Sequence, residues 1–152
     1  MIHGFLKACT VSPALRVADC AFNTQQTIAA MQRAAADGAQ LAVFPELGLT
    51  GYTCGDLFFQ QPLQRAAAKG LAAVLEASAG LDLVALVGLP VAVDGKLYNC
   101  AAVIHRGDLL GLAAKAYLPN YGEFYEQRWF SSSGGPRGLD HCVDLCGRQV
   151  NL

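Results

Sequence analysis

Two charged side chains stand at the ends of apolar runs, where acid-base and charge-stabilising chemistry are possible. Glu46 follows the apolar run 41–44 and lies among Leu, Gly and Tyr residues in 44–52. Removal from water makes a carboxylate a stronger base, which fits a general base working near neutral pH. A Glu that caps a loop or pairs at the surface is the alternative, and the local sequence leaves both interpretations open.

Lys115 stands alone after the apolar run 109–114. An ammonium group held there could stabilise an oxyanion. A lysine that extends its charge to water from a sheet edge is the structural alternative, and on local sequence alone it is the better fit. Residues 121–130, which include Tyr121 and Glu123, mix aromatic and charged side chains in the manner of a pocket rim. Aromatic core packing with a surface Glu and Arg explains this segment almost as well.

Cysteine offers two further candidates. Cys54 shares a loop with Glu46, so a nucleophilic Cys-Glu pair is conceivable, but we favour a packing role for this thiol. His141, Cys142 and Cys146 provide only three soft ligands at an unusual spacing. Structural zinc normally takes four ligands, so we interpret this segment as a loop entering a strand.

The elements that must position these side chains follow from the pattern of apolar residues. Helical spacing and end signals predict two helices, at 19–37 with Asn23 or Thr24 as its cap, and at 61–79. Apolar runs between turn signals predict strands at 5–11, 41–44, 83–89, 91–93, 97–105 and 109–114, with another beginning at 149–150 and a loop at 131–137. This order predicts an α/β layered fold with a mixed sheet.

Composition narrows the class of protein. The 152 residues are 53% hydrophobic and 15% charged, with a formal net charge of −1. Such a chain is not intrinsically disordered, forms one domain or part of one, and has no basic stripe that would attract nucleic acid. Without a secretory leader or a membrane span, we expect a cytoplasmic protein whose six cysteines are free thiols.

Three blocks of sequence, at 44–58, 97–101 and 115–130, carry a family resemblance. Glu46, Lys115 and Glu123 in this setting resemble the nitrilase superfamily of carbon-nitrogen hydrolases. The amino-acid sequences of the three blocks more specifically resemble the glutaminase domain of glutamine-dependent NAD synthetases. The resemblance implies part of a four-layer α-β-β-α sandwich of two sheets.

The resemblance also implies a mechanism for glutamine hydrolysis. A Cys thiolate attacks the side-chain amide of glutamine, Glu46 takes and returns the proton, and Lys115 stabilises the tetrahedral oxyanion. Glu123 corresponds to the second Glu of the superfamily motif, which orients the Lys and the substrate, and Tyr121 lies at the pocket mouth. The released ammonia passes to a synthetase domain that uses ATP and magnesium to form NAD.

The family pattern places the nucleophilic Cys beyond Leu152, in a strand that these residues do not reach. We therefore expect 1–152 to be an incomplete glutaminase domain, inactive alone, with the synthetase domain absent. The chain contains neither Gly-rich phosphate-binding motif, so no cofactor is expected in it. Its expected partners are glutamine, the synthetase domain and further copies in a homo-oligomer.

Two other functions remain open on the sequence. One is a different nitrilase-type amidase, such as a carbamoylase or ω-amidase, although the 121–126 block favours the NAD branch. The other is a non-catalytic remnant that acts as an interaction module.

Overall fold

A computed structural model describes residues 4–134 and 142–152, which form a five-stranded mixed sheet, a separate two-stranded sheet and two α-helices. The strands are β1 (Ala8–Thr10), β2 (Leu41–Val43), β3 (Val84–Val93), β4 (Lys96–His105), β5 (Asp108–Ala114), β6 (Cys142–Leu145) and β7 (Arg148–Asn151). The helices are α1 (Cys20–Ala36) and α2 (Gln61–Ser78), and short 3-10 turns occur at Gly55–Phe59 and Glu126–Arg128. The α/β class and the mixed sheet predicted from sequence are confirmed.

The large sheet has the order β1-β2-β3-β4-β5, parallel from β1 to β3 and antiparallel from β3 to β5. Because β1, β2 and β3 follow one another in one direction, right-handed crossovers place α1 and α2 on the same face. The main core lies there, between Met31 of α1, Leu71 of α2 and strand residues such as Ala85 and Ile104. One face of the sheet is therefore covered by helices.

Two-residue turns join the antiparallel strands. Asp94 and Gly95 connect β3 to β4 with φ values of 49° and 75°, and Arg106 and Gly107 connect β4 to β5 with 47° and 85°. Positive φ at both turn residues matches the right-handed twist of the flanking strands, which is why such hairpins favour Gly at the second position. The two turns predicted from sequence are confirmed. They fix the register of β3, β4 and β5 and so determine which residues of these strands lie side by side.

The structure corrects two local predictions. Asp19, not Asn23 or Thr24, caps α1, with its carboxylate accepting from the Phe22 N–H at 3.0 Å. The predicted strands 83–89 and 91–93 are one strand, β3, which continues through Pro90. A proline is tolerated there because the carbonyl oxygen of its partner Asn99 accepts from the N–H of Lys115, directly after β5. The Pro90 and Asn99 pair therefore needs no main-chain hydrogen bond between β3 and β4.

The segment after β5 is described only in part. Residues 131–134 have no regular structure, as predicted, but the remainder of the predicted 131–137 loop and His141 lie outside the described residues. The strand expected near 149–150 is present as β7, and it pairs with β6, which the sequence did not predict. Neither α-helix of the described residues combines the length and the hydropathy of a membrane-spanning segment.

Candidate active site

The loop 44–52 carries Glu46 onto the face of the sheet away from the helices. Its main chain is fixed to β3, because the Phe44 N–H donates to Leu86 O at 3.0 Å and the Leu49 N–H donates to Gly88 O at 3.1 Å. Leu47 adopts φ 52°, an unfavourable conformation for a residue with a branched side chain, and is completely buried. Such a residue is held in place by its surroundings, so the position of Glu46 is set by the fold.

Gly88 makes this approach possible. A Cβ built at Gly88 would lie 2.5 Å from Leu47 N and 2.5 Å from Pro45 O, both main-chain atoms. Any other residue at this point of β3 would force the loop off the sheet. The close contact between strand and loop is therefore what brings the Glu46 carboxylate to the ends of β4 and β5.

Lys115 follows β5 directly and meets two carboxylates. Its main-chain N–H donates to Asn99 O at 2.8 Å, which extends the β4 and β5 pairing by one residue. Its ammonium group donates to Glu46 Oε1 at 2.7 Å and to Glu126 Oε1 at 2.9 Å. Burial alone lowers the pKa of Lys115, but hydrogen bonds and charges from Glu46 and Glu126 outweigh it and raise the pKa. Lys115 is therefore held as a cation.

Glu126 is the buried carboxylate of the site, with only 2% of its side chain exposed. Its Oε1 atom accepts from Lys115 and from the Tyr52 hydroxyl, the latter at 2.7 Å. Burial and the hydrogen bond to this carboxylate raise the pKa of Tyr52, which therefore stays a neutral donor. Oε2 of Glu126 has no hydrogen-bond partner among the described residues.

The structure brings Glu46 and Lys115 together as expected but places Glu126, not Glu123, against Lys115. Glu123 is exposed in a turn beside Gly122, whose φ is 59°. The Glu126 N–H donates a hydrogen bond to Pro119 O at 3.1 Å, and in this turn the Glu126 side chain points inward. The two glutamates differ because Glu126 is buried between Tyr52 and Lys115, whereas Glu123 is exposed. No local feature of the sequence indicates which of the two is buried.

Tyr121 is exposed at the edge of a cavity of about 690 Å³ that Lys115 and Phe130 also line. A second cleft of about 360 Å³ reaches Glu46, Asn99 and Lys115 along the uncovered face of the sheet. Lys115 thus faces two open spaces. The position of Tyr121 is compatible with the pocket mouth that the family resemblance implies.

Asn99 is a residue of the site that the sequence does not predict. The residue is 4% exposed, and its Nδ2 group donates to Glu46 Oε1. The only signal in the sequence is one amide side chain within the otherwise apolar run 97–104. Such a signal does not separate a site residue from a satisfied core residue.

The six cysteines are free, and among the described residues none has a hydrogen bond to Glu46 or Lys115. The Cys54 thiol instead donates to Thr50 O at 3.1 Å. Burial raises the pKa of Cys54, and it raises that of Cys20 to about 11 and that of Cys100 to about 12. These thiols are poor sources of thiolate at neutral pH, so Cys54 has the packing role favoured above.

A cluster of side chains on the surface holds the Glu126 segment in place. The Arg128 guanidinium donates to both oxygens of Asp56 at 2.7 and 2.8 Å, and the Trp129 indole donates to Asp56 Oδ1 at 2.9 Å. Trp129 also contacts Phe58, with ring centroids 5.8 Å apart. These contacts tie the turn that contains Glu126 to the loop that follows Glu46.

The sheet, the helix layer and the carboxylate-lysine site define an α/β domain of nitrilase type. Residues 7–146 match the model of the carbon-nitrogen hydrolase family, and the chain belongs to that family. The structure contains one helix layer and one sheet of the four-layer sandwich that the resemblance implies, together with the β6 and β7 hairpin.

Three of the proteins similar to this chain are glutamine-dependent NAD(+) synthetases. The chain is 40% identical over 136 residues to a glutamine-dependent NAD(+) synthetase of Mycobacterium tuberculosis, covering 90% of this chain and 20% of that protein. A glutamine-dependent NAD(+) synthetase structure from Cytophaga hutchinsonii has a TM-score of 0.86 at 26% identity, over 95% of this chain and 24% of that one. A glutamine-dependent NAD(+) synthetase structure from Acinetobacter baumannii, in complex with ADP, has a TM-score of 0.79 at 30% identity. The match covers 95% of this chain and 26% of that one. The chain therefore spans only about a fifth to a quarter of these relatives.

Proposed function

We propose that these residues form part of the glutaminase domain of a glutamine-dependent NAD synthetase. The observation that carries the proposal is the Lys115 ammonium held between Glu46 Oε1 at 2.7 Å and buried Glu126 Oε1 at 2.9 Å, in a chain whose curated relatives are such synthetases. A fixed cation beside an accessible carboxylate suits acyl transfer, which needs a proton acceptor and a charge-stabilising donor.

In the proposed reaction, residues outside this chain supply the nucleophilic thiol. Glu46 accepts the thiol proton, and the sulfur attacks the amide carbon of glutamine to give a tetrahedral intermediate. The C–N bond then breaks as Glu46 returns the proton to the departing ammonia, leaving a thioester. Water, activated by the same carboxylate, hydrolyses the thioester to glutamate and restores the thiol.

Lys115 stabilises the negative oxygen of the tetrahedral intermediate in this scheme. An ammonium group has three N–H donors, and Glu46 and Glu126 take two of them. The third is available to the oxyanion within the described part of the site. Glu126, in place of Glu123, keeps Lys115 oriented and charged, and Tyr121 borders the cavity through which glutamine enters.

The ammonia serves a synthetase portion outside this chain, which uses ATP and magnesium to convert nicotinic acid adenine dinucleotide to NAD. The described residues contain no cluster of three or more His, Cys, Asp or Glu side chains that could hold a metal ion. The assignment of ATP and magnesium to the other portion follows from the family resemblance. The free cysteines support a reducing, cytoplasmic setting, and the whole enzyme is proposed to be a homo-oligomer.

A chimaera tests the proposal directly. Residues 7–146 of this chain replace the matching segment of the M. tuberculosis relative, and NAD formation is measured with glutamine and, separately, with ammonium chloride as the nitrogen source. The parent chimaera should use both. Glu46→Gln should abolish the glutamine-driven reaction and leave the ammonia-driven one intact, because the carboxylate is needed only to release ammonia.

Glu76→Gln, on the exposed surface of α2, is the matched control and should change neither reaction. A parent chimaera that uses ammonia but not glutamine would reject the proposal and favour the non-catalytic module. Hydrolysis of carbamoyl or ω-amide substrates in preference to glutamine would favour the other amidases. The 152-residue protein alone should release no ammonia from glutamine.

A further inference from the structure

We infer that Asn99 is a positioning residue that, together with Lys115, determines which oxygen of Glu46 carries the proton during catalysis. The inference rests on the proposed function, since it concerns the base of the same site. Both donors that reach Glu46, the Asn99 amide and the Lys115 ammonium, bind its Oε1 atom. Among the described residues, Oε2 of Glu46 has no donor.

Unequal hydrogen bonding makes the two oxygens of Glu46 chemically different. A carboxylate oxygen that already accepts two strong hydrogen bonds, one from a cation, is the poorer proton acceptor. Oε2 is therefore the oxygen that receives the thiol proton. The cleft along the uncovered face of the sheet gives an incoming thiol access to the Glu46 carboxylate.

The place of Asn99 in the fold suits this task. Asn99 lies in β4, between β3 and β5, with its neighbours Tyr98 and Cys100 buried in the helix-covered core. Its side chain holds Glu46, and its carbonyl oxygen accepts from the Lys115 N–H at 2.8 Å. One residue thus sets the base and the cation relative to each other.

A second amide side chain shows what a purely structural role looks like. Gln64 of α2 donates to the main-chain oxygen of Phe58 at 2.8 Å and, within residues 4–134 and 142–152, has no hydrogen bond to a charged group. Asn99 directs its amide to the proposed base instead. Loss of each donor should therefore have different consequences, and the pair supplies a variant with its matched control.

The first experiment uses NMR on the 152-residue protein, so that it does not depend on turnover. In Glu46→Gln, the charged acceptor becomes neutral, and the side-chain amide proton resonances of Asn99 should move upfield while those of Gln64 stay unchanged. An Asn99 amide that does not respond to Glu46→Gln would overturn the inference. This result is independent of whether the proposed function holds.

The second experiment uses the chimaera. Asn99→Leu keeps the branching at Cγ but removes the donor, and the glutamine-driven kcat should fall about 100-fold, with KM for glutamine within about threefold and the ammonia-driven rate unchanged. Gln64→Met should leave the glutamine-driven kcat within about threefold of the parent. A folded Asn99→Leu variant with parental kcat, or one that loses both reactions together, would overturn the inference.

Discussion

Two carboxylates bind Lys115, and the molecule holds them in different ways. Glu46 lies on a loop that the main chain fixes, through the close approach to Gly88 and the hydrogen bonds to β3. Glu126 lies on a short turn that has one main-chain bond to Pro119 O and is tied to the 55–59 turn by side chains, including the Asp56 and Arg128 ion pair on the surface. One carboxylate is positioned by the sheet and the other by contacts between two surface segments.

This difference separates two kinds of vulnerability. Main-chain contacts leave no room for a new atom, so the Glu46 loop should be sensitive to added volume and insensitive to salt. Exposed ion pairs are weakened by salt and contribute little individually, so the Glu126 segment should respond to ionic strength. Between them, the buried pairing of Lys115 with Glu126 should depend on charge compensation.

Gly88→Ala should have the largest effect. The added Cβ would lie 2.5 Å from main-chain atoms of Pro45 and Leu47, which cannot rotate away. Overpacking typically costs about 1–3 kcal/mol, and because these atoms belong to the main chain we expect a loss of about 3 kcal/mol in the free energy of unfolding, measured by urea denaturation. Gly80→Ala is the control, because nothing lies within 4 Å of a Cβ at Gly80. Equal stability of the two variants would show that the loop adapts without strain.

Lys115→Met should have the next largest effect. The change leaves the buried Glu126 carboxylate without its cation, although Tyr52 still donates to it. Breaking a fully buried pair costs about 3–5 kcal/mol, and partial exposure of Lys115 reduces our expectation to about 2 kcal/mol. Lys96→Met, at an exposed strand end, should change the free energy of unfolding by less than about 0.5 kcal/mol. If both variants unfold at the same denaturant concentration, Glu126 does not need the cation.

Alkaline pH should weaken the same cluster through Tyr52. Burial and the hydrogen bond to Glu126 raise the pKa of Tyr52 above its ordinary value of 10.0, so the unfolded chain loses this proton first. The contribution of Tyr52 is complete below about pH 10 and is lost as pH rises further. Unfolding midpoints at pH 8 and pH 10.5 should therefore differ more in the parent than in Tyr52→Phe. The same pH dependence in both proteins would contradict this interpretation of the Tyr52 and Glu126 contact.

The sequence predicted most of the fold because apolar periodicity and turn chemistry act locally. The α2 helix begins at Gln61 as predicted and ends at Ser78, one residue before the predicted end. The error at Pro90 has a non-local cause: the strand continues because the proline falls where no bond to β4 is required. Strand pairing on both sides of a residue cannot be inferred from that residue and its neighbours.

The residues of the site also divide into those with a local sequence signal and those placed by tertiary contacts. Glu46 and Lys115 stand out in the sequence because each is an isolated charge at the end of an apolar strand. Glu123 lies in a turn and Glu126 begins a 3-10 turn three residues later, where its N–H bond to Pro119 O and its side-chain contacts to Tyr52 and Lys115 hold it inward. Asn99 depends on a loop 53 residues away along the chain. These contacts are tertiary, so local pattern does not contain them.

Asp56→Asn should have the smallest effect and the strongest dependence on salt. Arg128 and Trp129 hold the pKa of the Asp56 carboxyl well below its usual range, so the contribution of Asp56 is present above its unfolded pKa and is lost as pH falls toward acid. At neutral pH and low ionic strength the variant should melt slightly below the parent, because Arg128 loses its charged partner. This difference in melting temperature should disappear at 1 M sodium chloride, where the Debye length is about 3 Å. Asp94→Asn, in the exposed turn between β3 and β4, is the control for charge removal. A salt-independent gap would mean that the Trp129 hydrogen bond, and not the ion pair, fixes the Glu126 segment.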